Sequence, residues 1–79
     1  MTYRLLYFAS LADRAGRAEE NVDSAATDPA TLYAEVSARH GFVISRERLR
    51  VAVNGTLVDW QHRLQLGDEI VFLPPVSGG

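Results

Sequence analysis

The chain has 79 residues, 47% hydrophobic and 23% charged, with a formal net charge of −2 and no cysteine. That composition describes one globular domain and excludes a disordered chain, disulfides, thiolate metal sites and a cysteine nucleophile. With no basic block, no run near the ~18 apolar residues of a membrane span and no secretory signal pattern, the expected protein is cytoplasmic, without nucleic-acid or membrane partners.

Residues 2–9 read TYRLLYFA, a strand rich in aromatic and branched side chains. Its apolar residues fall on both faces, Tyr3, Leu5 and Tyr7 on one and Leu6 and Phe8 on the other. Ser10 with Asp13 three residues on resembles a capping box, and Gly16 is placed to end the short helix that follows. Residues 19–24 are polar around Val22, which fits a solvated edge strand. Asp28-Pro29 is a helix start: the carboxylate accepts orphan N–H groups, and proline at the first helical position loses nothing. The helix runs to about His40, Gly41 supplies a left-handed stop, and Phe42 folds back on the last turn.

Residues 49–54 alternate as a strand, and Asn54-Gly55 signals a type I′ hairpin into Thr56-Leu57-Val58. Residues 59–66 are irregular, with Trp60 expected to plug that loop onto the core. Gly67-Asp68 turns the chain into a last strand, residues 69–73, which Pro74-Pro75 stops because neither proline donates a ladder hydrogen bond. Residues 1–75 are thus read as the folded domain and residues 76–79 as a flexible tail. The first and last strands are the most apolar, so they are expected to pair centrally and in parallel. The result is an α+β roll, a mixed sheet gripping one main helix.

The body offers no evident catalytic set. His40 and His62 lack spaced partners for a metal and fit capping or surface roles. The serines show no nucleophile elbow, and the glycines sit at turns rather than in a phosphate loop. Glu19-Glu20 and Asp68-Glu69 read as solvated edges and turns. The tail differs. A strand, a double-proline stop and then Val76-Ser77-Gly78-Gly79 present a glycine carboxylate beyond the domain, with no side chain to block a narrow channel. Converted by a partner to an acyl-adenylate, that carboxyl becomes electrophilic, and attack by sulfide or a persulfide leaves a thiocarboxylate. A frayed terminus is the plain alternative for a bare Gly-Gly.

The segment Phe72-Leu73-Pro74-Pro75-Val76-Ser77-Gly78-Gly79, with Leu6-Tyr7-Phe8-Ala9, Ala52-Val53-Asn54-Gly55 and Gly67-Asp68-Glu69, resembles the small subunits of molybdopterin synthase over essentially the whole chain. These are ubiquitin-like sulfur carriers. The terminal F-x-P-P-V-x-G-G pattern is the specific part; the other pieces occur in sulfur carriers more widely. The resemblance implies a β-grasp fold and a non-catalytic carrier role. An activating adenylyltransferase uses ATP on Gly79, a sulfur donor protein supplies sulfur, and the carrier binds no cofactor of its own. The charged carrier docks on the large synthase subunit, usually as a heterotetramer, and gives sulfur to cyclic pyranopterin monophosphate to build the molybdopterin dithiolene. The family's contact surface maps here to Phe8, Leu57 and Leu73 on the open sheet face, leading through Pro74 and Pro75 into the tail.

That surface also follows from the residues. One helix covers one face of a sheet, so apolar residues on the other face form an exposed patch of the kind that marks partner sites. Two alternatives stand beside this reading: a carrier for thiazole, cysteine or tRNA thiolation, and a ubiquitin-like modifier or interaction module. The absence of lysine, with eight arginines present, fits compositional bias or protection of the activated tail from amines.

Overall fold

A computed structural model describes residues 1–74, so Pro75 and the tail residues Val76, Ser77, Gly78 and Gly79 lie outside the described residues. The chain runs β1 (Thr2–Tyr7), α1 (Ala9–Ala15), β2 (Glu19–Asp23), α2 (Pro29–His40), a 3₁₀ turn (Arg46–Arg48), β3 (Arg50–Val53), β4 (Thr56–Val58) and β5 (Glu69–Leu73). The five strands form one mixed sheet in the order β2-β1-β5-β3-β4. β1 and β5 pair in parallel at its centre, with Arg4 opposite Glu69 and Tyr7 opposite Phe72. The expected central pairing and the α+β, β-grasp roll are both present.

The period of two in β1 decides which face is buried. Tyr3, Leu5 and Tyr7 are fully enclosed, as are Ile70 and Phe72 of β5 and Val51 of β3. Leu32 and Val36 of α2 close over them. Tyr33 of α2 meets Phe72 edge-on at 5.0 Å between centroids, and Trp60 lies flat against Phe72 at 6.0 Å. Trp60 therefore does plug the irregular loop onto the core, while Leu66 in that loop stays exposed.

Local signals set the helix ends. Asp28 Oδ1 accepts from the Thr31 N–H at 2.7 Å, with Pro29 as the first helical residue. Gly41 takes φ 71°, and both its N–H and that of Phe42 donate to the Ser37 carbonyl, at 2.8 and 3.1 Å. At α1 the expected capping box is absent. The helix begins at Ala9 after Phe8, with no side-chain cap, because Ala9 turns the chain sharply out of β1 at φ 50°. A non-glycine residue in that left-handed region costs about 1 kcal/mol. That early turn ends β1 at Tyr7 instead of Ala9.

The hairpin is as expected, with Asn54 and Gly55 at φ 52° and 85°. Asn54 does more than turn. Its Nδ2 donates to Asp68 Oδ1 and its Oδ1 accepts from the Glu69 N–H, both at 2.9 Å. Asp68 Oδ2 also accepts from the Gln65 N–H at 2.8 Å. Asp68 is therefore a buried, satisfied carboxylate that locks the β3–β4 hairpin to the entry of β5, which corrects its reading as a solvated turn.

Candidate functional site

The face of the sheet away from α2 is built by the other half of each strand's alternation. Register places Leu6 opposite Val71, Val71 opposite Ala52 and Ala52 opposite Leu57, an apolar row across four strands. Leu6 and Val71 are half-buried and Ala52 is buried within that row, while Leu57 remains 58% exposed. Toward the end of β5, Leu73 stands half-buried opposite Arg50, and Phe8 is 50% exposed. Pro74 follows, half-buried. Phe8, Leu57, Leu73 and Pro74 thus all belong to the open face or its exit edge. Pro75 and residues 76–79 lie outside the described residues.

The rim of this face is charged. Arg4 sits at its far end, bound by Glu19 at 2.8 Å and by Glu69 at 3.7 Å. These pairs are half-exposed and contribute little to stability, about 0 to 1 kcal/mol each. With one arginine to two glutamates, that end keeps a surplus of negative charge. Beside Leu73 its register partner Arg50 is exposed; Arg46 and Arg48 are exposed on the 3₁₀ turn, with the Arg46 guanidinium 5.9 Å from the centre of the Trp60 ring. A shallow polar groove of about 820 Å³ runs from Arg50 along Leu57 and Val58 to Trp60 and His62.

Sequence reasoning missed a second cluster. Glu20, read as a solvated edge residue, is 8% exposed at its side chain. Its Oε2 accepts from the Tyr7 hydroxyl at 2.5 Å and meets His40 Nε2 at 2.6 Å, with Arg17 at 3.8 Å from Oε1. Burial raises the Glu20 pKa, but the hydrogen bonds from Tyr7 and His40, with the charges of His40 and Arg17, outweigh it and hold the carboxyl below its ordinary value. The Tyr7 hydroxyl is pushed far up by burial and by its bond to that carboxylate. His40 is consequently neither a simple cap nor a surface group. The one legible hint was its place at a helix C-terminus, where cations are favoured. This cluster fastens β2 and the end of α2 to β1 on the covered side. Among the described residues no group of three or more His, Cys, Asp or Glu is placed to hold a metal ion, and no helix is long and apolar enough to cross a membrane.

Comparison with known proteins follows the same lines. The ThiS family model matches residues 5–79. Over 79 aligned residues the chain is 33% identical to the molybdopterin synthase sulfur carrier subunit of Escherichia coli (strain K12), covering 96% of this chain and 98% of that protein. Among solved structures it is similar to SAMP1 from Haloferax volcanii, with TM-score 0.82, 25% identity and full coverage of both chains. It is also similar to a chain in the complex of subunits 1 and 2 of the molybdopterin-converting factor from Helicobacter pylori 26695, with TM-score 0.70, 26% identity and full coverage of both chains. The family match reaches from within β1 through the terminal glycines, and the chain belongs to the ThiS family.

Proposed function

We propose that this protein is the sulfur carrier subunit of a molybdopterin synthase. The observation that carries the reading is the near end-to-end likeness to the Escherichia coli subunit of that name. The likeness to one chain of a two-subunit molybdopterin-converting complex supports a large-subunit partner. The open apolar face, which continues at its exit edge into Pro74, supports docking on that partner with the tail directed into its pocket.

In this reading the chain's chemistry is confined to Gly79. An adenylyltransferase joins its carboxylate to AMP with release of pyrophosphate. Sulfide then attacks the carbonyl carbon, and AMP leaves with the electron pair of the broken C–O bond. A persulfide donor gives first an acyl disulfide, whose S–S bond a second thiol of the donor cleaves, releasing the thiocarboxylate as that thiol becomes part of a disulfide. The resulting thiocarboxylate is nucleophilic near neutral pH and delivers one sulfur to cyclic pyranopterin monophosphate. A dithiolene therefore requires two charged carriers. The folded body supplies affinity and a fixed point from which the tail is measured.

Intact mass after incubation with the activating enzyme, ATP and a sulfur donor tests this directly. The expected product exchanges one oxygen for one sulfur at Gly79. Deleting Gly79, or adding one residue after it, displaces the carboxyl by up to about 3.5 Å. Errors of that size remove proximity catalysis, so neither variant is expected to acquire sulfur, while both unfold at the parent temperature. Sulfur on the deletion variant, with dithiolene formed from it, would rule out the tail mechanism.

A further inference from the structure

The hairpin turn carries a reactive dipeptide. An asparagine followed by glycine can cyclise, because glycine has no side chain to crowd the attack of its own amide nitrogen on the asparagine side-chain carbonyl. Asn54-Gly55 is such a pair, exposed between β3 and β4. A side-chain carbon at Gly55 would meet nothing within 4 Å, and among the described residues no backbone acceptor takes the Gly55 N–H. The nucleophile is therefore free. The chain's other asparagine, Asn21, precedes Val22, whose branched side chain crowds the corresponding nitrogen.

Restraint comes from the electrophile. The Asn54 Nδ2 donates to Asp68 Oδ1 and the Asn54 Oδ1 accepts from the Glu69 N–H, each at 2.9 Å, while the Asn54 N–H donates to the Glu69 carbonyl at 2.8 Å. The side-chain amide is held at both its polar atoms, and its carbonyl carbon cannot swing toward Gly55 without breaking both bonds. The anchor is itself fixed. Asp68 is 8% exposed, its Oδ2 accepts from the Gln65 N–H at 2.8 Å, and its carbonyl accepts from the Arg4 N–H of β1 at 3.0 Å. The Asp68 carboxylate also sets a negative charge beside a reaction whose intermediate is anionic, and like charges at contact repel.

We propose that Asn54 is a deamidation site held latent by Asp68: while the hairpin is locked to β5 the amide does not react, and once the lock opens the reaction makes the opening permanent. The reaction calls on no partner and no co-reactant but water. The Gly55 nitrogen attacks Asn54 Cγ and gives up its proton. The Cγ–Nδ2 bond breaks, Nδ2 takes up a proton and leaves as ammonia, and a five-membered imide remains. Water then adds to one of the two ring carbonyls and that carbon's bond to the ring nitrogen breaks. The product is aspartate, or the isomer whose main chain runs through the former side chain. Aspartate places a carboxylate oxygen against Asp68 Oδ1 where an N–H donated before. The isomer lengthens the main chain by one carbon inside a two-residue turn whose geometry matches the strand twist. Either change loosens β4, with its exposed Leu57, from its register on β3.

The test is peptide mapping of Asn54 after timed incubation at neutral pH, with conversion read as the mass gain of amide to carboxylate. The folded parent is expected to convert at least about tenfold more slowly than the same chain in urea, since two hydrogen bonds to a fixed anchor must break first. Asp68→Ala, at a temperature where thermal melting shows it folded, should recover most of that difference. Asp68→Asn keeps the shape and an acceptor oxygen but not the charge. It decides the matter if Asp68→Ala does not melt cooperatively, and it should then convert faster than the parent. Asn21 should convert at one slow rate in all the folded chains. Equal Asn54 rates for the parent folded and in urea would overturn the inference. So would a deciding variant as slow as the parent, which would assign the protection to the turn backbone alone. Asn54→Asp, the finished product, should melt about 4 to 8 °C below the parent. An unchanged melting temperature would show that the reaction does not hold the lock open, and would overturn the proposal on that side.

Discussion

The two faces of the sheet draw on the same strands and the same alternation, yet their apolar residues end in different states. On the covered face Tyr3, Leu5, Ile70 and Phe72 have no exposure at all. On the open face Leu6, Val71 and Leu73 are half-buried, and Phe8 and Leu57 are half-exposed or more. The covered face has α2 and the 59–66 loop to seal it; the open face has only its own neighbours. One face therefore holds the domain together, and the other is left with exposed apolar area of the kind that marks partner sites.

Mutations on opposite faces should separate these two roles. Phe72→Ala removes a ring that touches both Tyr33 and Trp60 and is expected to cost about 3 to 5 kcal/mol in urea denaturation. Binding to the proposed large-subunit partner, measured per folded molecule, should be unchanged. Leu73→Asp, the adjacent residue on the other face, should do the reverse. It is expected to cost at least about 2 kcal/mol of partner binding, roughly thirtyfold in Kd, and within about 0.5 kcal/mol of folding stability. Phe8→Asp should follow Leu73→Asp. A collapsed melting temperature with intact binding would move these residues into the core and dissolve the distinction between the faces.

Smaller effects sharpen the covered side. Glu20→Gln should cost about 1 to 3 kcal/mol at neutral pH by weakening the bonds to Tyr7 and His40. The sign with pH follows from the lowered Glu20 pKa. Its stabilisation is complete above the ordinary glutamate value of about 4.3 and is lost as pH falls through the lower, folded one. The parent should therefore lose stability in acid more steeply than the Gln variant, and parallel pH curves would refute the assignment. Asp28→Ala should cost about 1 kcal/mol through loss of the cap to Thr31, with partner binding untouched.

What could be read from the sequence divides by range. The Asp28-Pro29 start, the Gly41-Phe42 stop, the Asn54-Gly55 turn and the alternation of Tyr3, Leu5 and Tyr7 are each decided within a few residues, and each is present. Glu20 and Asp68 were misread because their partners are far along the chain: His40 is 20 residues from Glu20, and Asn54 is 14 from Asp68. No local pattern distinguishes a carboxylate that will meet such partners from one facing water. The capping box at Ser10 failed for a related reason. The path of β1 into α1 is set by the turn at Ala9, which makes Phe8 the residue before the helix. Of the candidate site, the surplus of apolar residues in β1 and β5 announced an open patch; Phe8, Leu57 and Leu73 come from the family resemblance, and in the structure Leu73 is half-buried while Phe8 and Leu57 are exposed. Its continuity through Leu6, Val71 and Ala52 depends on strand register, which the sequence leaves undetermined.

The parallel pairing of β1 with β5 also bears on how the protein is made. Among the described residues, the strand at the centre of the sheet is the last of the five in chain order, and β1 and β3 both lack their shared neighbour until it arrives. Such long-range closure is slow compared with local helix formation, and it cannot start while β5 is still within the ribosome. A chain cut short by early termination or proteolysis before β5 would therefore lack both its core and the segment that follows Pro74. Incomplete copies would be exposed to degradation as unfolded chains, and would not persist beside the folded protein.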